Sequence, residues 1–145
     1  MSVFADSSAL VKLYVDEVSH ALIRAQVGLI ASQLARIEVP AALWRKVRTG
    51  DLMPQDAALL VAAFDADYSG VAEEPPRFSS VAVSSSLLDD AARLCAVHGL
   101  RAYDSVQLAS ARAAAAADPE CRTVAAFDDQ LRVAAAIEGF QLLPA

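Results

Sequence analysis

Glycine, cysteine and histidine are all scarce in this chain of 145 residues, and each scarcity removes a class of function. Five glycines leave little room for a phosphate-cradling loop, and no glycine motif of either common nucleotide-binding type is present. The two cysteines, Cys95 and Cys121, stand far apart in sequence and form no metal-type pair. No disulfide framework is therefore expected, and a reduced, cytosolic (cytoplasmic) setting is. The two histidines, His20 and His98, have no metal-ligand spacing to each other. Ser7 and Ser8 have no sequence-evident base to activate them. Long apolar runs are missing too. The longest stretches without a charge, Ala25–Ala35 and Phe78–Leu88, are eleven residues each. A spanning helix needs about twenty. The N-terminus opens on the strand-like run Val3-Phe4-Ala5 with no basic segment before it, so neither a signal peptide nor a membrane partner is expected.

Basic residues are outnumbered, twelve against eighteen acidic ones, for a net charge of −6. Such a balance argues against coating nucleic acid by charge alone. It is compatible with a metal-dependent nuclease, because cations held by carboxylates reverse the sign a phosphate meets. Apolar residues, alanine above all, make up 56% of the chain, which points to closely packed helices. The length suits one domain covering residues 1–145.

Short apolar runs alternate with helical ones. Strands are expected at Val3–Ala5, Leu29–Ala31, Phe78–Val83, Thr123–Phe127 and Phe140–Leu143. Helices are expected at Ser7–Val15, Ser19–Gly28, from a cap at Ser32 to about Arg48, and at Pro54–Tyr68 with Leu59, Leu60, Ala63 and Phe64 as its apolar stripe. Further helices are expected at Ser86–His98, with Ser86 and Asp89 spaced as a capping box, at Asp104–Ala117 and at Asp128–Glu138. Pro40 should kink its helix. This alternation predicts a three-layer α/β sandwich, with a central parallel sheet of about five short strands flanked by helices.

In such sheets ligands bind at the carboxyl ends of the strands. Asp6 follows the first strand, Asp128 follows the fourth, and Asp104 opens a helix after Leu100-Arg101-Ala102-Tyr103. Glu38 lies on a helix whose neighbours Leu34, Ile37, Ala41 and Ala42 look buried, and an unpaired buried carboxylate is costly. Each acid also has a plainer reading. Asp6, Asp104 and Asp128 suit helix N-termini, and Glu38 suits a solvated helix face. Taken together, converging carboxylates with few other ligand types suit Mg²⁺ or Mn²⁺.

At these residues the chain resembles the PIN-domain ribonucleases and, among them, the VapC toxins of bacterial toxin–antitoxin pairs. The resemblance rests on Val3-Phe4-Ala5-Asp6-Ser7-Ser8-Ala9-Leu10-Val11-Lys12-Leu13-Tyr14, on Ser32–Glu38 followed by Ala41-Ala42-Leu43-Trp44-Arg45, on His98–Ala109 around Tyr103-Asp104-Ser105, and on Val124–Leu131 around Phe127-Asp128-Asp129. It implies a PIN-like fold and a Mg²⁺- or Mn²⁺-dependent endoribonuclease with Asp6, Glu38, Asp104 and Asp128 as catalytic and metal-holding acids. Ser8 would support the first acid or a metal-bound water, and Asp129 could share the role of Asp128. Ala126 departs from the family, many of whose members carry a hydroxyl there. The resemblance also implies a VapB-type antitoxin, a single-stranded or looped RNA substrate, and a homodimer. Arg101 is a candidate phosphate contact or a surface arginine, and Arg45, Lys46 and Arg48 form the densest basic cluster. Tyr14, Leu13 and Trp44 suit either an antitoxin groove or the core. Two rival readings are a catalytically inactive module that binds RNA or protein, and a phosphatase with Asp6 as nucleophile. The latter usually has a second aspartate two residues on, where this chain has Ser8.

Overall fold

The computed structural model describes residues 1–145. Its centre is a five-stranded, all-parallel sheet in the order β3-β2-β1-β4-β5. The strands are β1 (Ser2–Ala5), β2 (Leu29–Ser32), β3 (Ser79–Val81), β4 (Cys121–Ala125) and β5 (Gln141–Leu143). The expected sandwich is therefore present. The chain moves outward through β1, β2 and β3, then returns to place β4 beside β1. This reversal puts a topological switch point between β1 and β4, where a crevice opens beyond the strand ends.

Seven helices cover the sheet: α1 (Ser7–Leu10), continued by a 3₁₀ turn (Val11–Leu13), α2 (His20–Arg24), α3 (Ala35–Arg48), α4 (Pro54–Ser69), α5 (Ser85–His98), α6 (Ala102–Ala117) and α7 (Asp129–Ile137). Buried strands read as continuous apolar runs because both faces are covered, and β1 and β2 show it. On one face Val3, Ala5, Leu29 and Ala31 pack with Leu10, Ile23, Val39, Leu43 and Phe64. On the other Phe4, Ile30 and Val124 pack with Leu94, Leu108 and Leu131. No helix is long and apolar enough to cross a membrane.

Several expectations need correction. α2 is only five residues long, entered through Ser19 in the left-handed region (φ 68°). α5 is capped by Ser84, whose hydroxyl accepts from the Leu87 N–H, rather than by Ser86. Ser32 closes β2 and accepts from the Leu34 N–H instead of capping α3. The buried face of α3 is Ala35, Val39 and Leu43, while Ile37 is exposed. α4 buries Ala57 and Phe64, and Leu59 faces out. Pro40 lies inside α3, which continues on both sides of it as the sequence led one to expect.

Candidate active site

The switch point is also where the acids gather. Parallel pairing aligns Ala5 with Ala125, and the Asp6 N–H donates to the Ala125 carbonyl (3.0 Å). Asp6 and Asp128 thus leave neighbouring strands at the same end of the sheet. Asp104, in the first turn of α6, and Glu38, in the first turns of α3, reach the same cleft of about 550 Å³. All four carboxylates line it, together with Ser7, Ser8, Arg101 and Gln107. No three of them close on one point as a ready metal-ligand set.

Asp6 is 5% exposed and caps α1. Its Oδ1 accepts both from the Ser8 hydroxyl (2.6 Å) and from the Ala9 N–H (3.0 Å). Its Oδ2 receives no protein donor. Burial pushes this carboxyl up to about 7 against those two hydrogen bonds, and the charges of Glu38 and Asp104 push the same way. Ser8 also accepts from the Phe127 N–H (3.0 Å), which ties the end of β4 to α1. The hydroxyl expected to support the first acid does so here.

Burial raises the Asp104 carboxyl as well, reinforced by Asp128 and opposed by Arg101. Arg101, largely exposed, lies 3.3 Å from Asp104 Oδ2 and 3.7 Å from Asp128 Oδ1. A guanidinium bridging two carboxylates marks a point that favours positive charge. Asp128 caps α7, its Oδ2 accepting from the Leu131 N–H (2.9 Å), so it both caps and faces the cleft. Asp129 is exposed and lines a separate depression with Val97, His98 and Ile137, so the structure does not bring it to the other acids. His98 bonds Glu138 (2.7 Å) away from the cleft.

Two participants escaped sequence reading. Ser7 donates to Glu38 Oε1 (3.0 Å), and Gln107 Nε2 donates to both Glu38 Oε1 (2.7 Å) and Ser7 Oγ (3.0 Å). Gln107 is 3% exposed, and its Oε1 is buried without a partner. A polar side chain among Val106, Leu108 and Ala109, three residues after Asp104, was the available signal. Leu13 and Tyr14 pack on the core, while Trp44 is partly exposed. The donor set is all hard oxygen, the kind that Mg²⁺ and Mn²⁺ take.

Fold and cleft together define a parallel α/β sandwich with a carboxylate-lined mouth at its switch point. Among solved structures it is similar to that of PAE2754 from Pyrobaculum aerophilum, at a TM-score of 0.65 and 21% identity, covering 99% of this chain and 85% of that one. This likeness concerns the fold, and a fold alone hosts many activities. No family model and no curated protein matches the chain.

Proposed function

We propose that this protein is a metal-dependent endoribonuclease of the PIN-domain kind, acting as the VapC-type toxin of a toxin–antitoxin pair. The observation that carries the reading is the meeting of Asp6, Glu38, Asp104 and Asp128, from four separate elements, in one cleft at the carboxyl end of a parallel sheet. The sequence resemblance supplies the substrate class and the antitoxin.

Asp6, Asp104 and Glu38, with Asp128, would hold Mg²⁺ or Mn²⁺, which would supply charge neutralisation at the phosphate and activation of water. The donor set fits such an ion on two observations. Asp6 and Asp104 are destabilised as anions in the absence of a cation, and Arg101 already supplies positive charge between Asp104 and Asp128. Ser8 fixes Asp6 so that its Oδ2 is free to face the cleft. Ser7 and Gln107 occupy Glu38 Oε1 and leave Oε2 for a ligand. Arg101, whose side chain is largely exposed, would exchange a carboxylate for a substrate phosphate. A VapB-type tail would present an arginine to the same carboxylates.

The test is cleavage of a mixed cellular RNA pool by the pure chain with Mg²⁺ or Mn²⁺, beside Asp6→Asn and Asp104→Asn variants and an EDTA control. Discrete cuts lost in every control are expected. Absence of cutting together with absence of Mn²⁺ binding by calorimetry would overturn the reading in favour of a binding module. A phosphorylated Asp6 intermediate would favour a phosphatase.

A further inference from the structure

The cleft has two ends of opposite sign. On α1 and its 3₁₀ extension, Ser8 at the acidic end is followed one turn later by Lys12. On α3, Glu38 is followed two turns later by Arg45 and Lys46, and all of these line the cleft. Eight residues of helix separate Glu38 from Lys46 by about 12 Å, within reach of a backbone phosphate near the one being cut.

The basic end is built rather than merely exposed. Lys12 is 7% exposed, its Nζ lies 4.2 Å from the centre of the Phe127 ring, and Phe127 precedes the acid Asp128. Burying an ammonium is costly, and a side chain serving stability alone is better replaced by an apolar one. Lys46 reaches the same point from α3. Between the two ammonium groups sits the carboxylate of Glu17, bonded to Lys12 (3.2 Å) through one oxygen and to Lys46 through the other. Two cations from separate elements are thus spaced to chelate one anionic group. Glu17 does not balance them. Arg45, exposed on the same wall, has no ion-pair partner, so that with Asp51 counted beside Glu17 three cations face two carboxylates at this end.

We propose that Lys12, Lys46 and Arg45 form a phosphate subsite for the RNA backbone beside the acidic centre, with the Glu17 carboxylate standing in for the phosphate until RNA displaces it. The substrate assignment rests on the ribonuclease reading, but the subsite is tested without catalysis. The assay is fluorescence anisotropy of a labelled, mixed-sequence single-stranded RNA on the full chain in EDTA, across a salt series.

Lys46→Ala should weaken binding by about 5-fold or more at about 50 mM salt and lower the slope of log affinity against log salt by about 0.7. Arg45→Ala should act in the same direction. Glu17→Gln, which removes the competing charge, should tighten binding several-fold. Arg48→Ala changes an equally basic residue of α3 that does not line the cleft and should do less. Equal losses in Lys46→Ala and Arg48→Ala, or weaker binding by a Glu17→Gln protein that melts as the wild type does, would overturn the subsite. So would displacement of the RNA by poly-glutamate at matched charge, which would assign the site to a peptide carboxylate. Metal-dependent cutting with an unchanged KM in Lys46→Ala would overturn the subsite and leave the nuclease reading standing. Lys46-dependent RNA binding by a protein that never cuts would do the reverse.

Discussion

Asp6 shows how a single carboxylate can be both well hydrogen-bonded and unstable as an anion. In the unfolded chain it ionises near its ordinary value of about 4, whereas in the fold it keeps its proton to about 7. The folded state therefore binds the extra proton between those values. Stability of the metal-free protein falls as pH rises through that window, and the loss is complete above it. Urea unfolding at pH 5.5 and at pH 8 in EDTA should show this fall. Asp6→Asn should flatten it and stabilise the protein at pH 8 by about 1–2 kcal/mol, because both protein hydrogen bonds land on Oδ1 and an amide retains them. For a chain of this size that is roughly 2–4 °C in melting temperature per kcal/mol. The same variant should lose RNA cleavage. Gln107 presents the opposite case, a neutral side chain whose value lies in what it holds. Gln107→Leu should lower kcat for RNA cleavage by about 10–100-fold with little change in KM, while Gln107→Glu, which sets a like charge against Glu38, should be worse. A Gln107→Leu enzyme with wild-type kcat would show that Glu38 needs no such support.

At the scale of elements, the beginnings of helices do most to build the site. α1, α3, α6 and α7 each bring an acid to the cleft from an N-cap or an early turn, and at Asp6 and Asp128 the residue that caps the helix is also the one that lines the cleft. Asp128 permits the two roles to be separated. Asp128→Ala should cost about 1 kcal/mol of stability together with activity, whereas Asp128→Asn keeps an oxygen for the Leu131 N–H and should lose activity alone. Thermal melts beside RNA-cleavage assays distinguish the two. The same overlap explains what was legible in the sequence. Strand-then-acid at Asp6 and at Asp128 is a local pattern, and apolar runs broken by helical periods yield a parallel sheet almost unaided. The partners of Glu38 were not legible, because Ser7 and Gln107 meet it only through a fold that joins residues 31 and 69 positions away. Glu17 was hidden for the same reason, since its Lys46 contact spans 29 positions. Helix ends shifted where two serines competed for one cap, as Ser84 and Ser86 did. The exposed Ile37 and Leu59 misled because an apolar side chain is weak evidence of burial on a helix with several candidate faces.

For the whole molecule, the proposed metal dependence would link cation binding to folding. An ion that binds the folded cleft but not the open chain raises stability with concentration, by about 2.7 kcal/mol at a hundred times its Kd. Mn²⁺ should accordingly raise the melting temperature in a dose-dependent way. Its apparent affinity should be about 10-fold lower at pH 6 than at pH 8, since the Asp6 proton must leave first. Melts that ignore Mn²⁺ at both pH values would contradict the linkage. The strand order has a further consequence, for synthesis. β1 is made first, yet it lies at the middle of the sheet, and its neighbour β4 begins only at Cys121. With translation at roughly 5–20 residues per second, the first acid waits many seconds for the fourth. A nascent chain carrying Asp6, Glu38 and Asp104 still lacks the strand that aligns Asp6 with Asp128, so on the proposed ribonuclease reading a growing polypeptide would be harmless to the RNA around it until β4 and Asp128 have emerged.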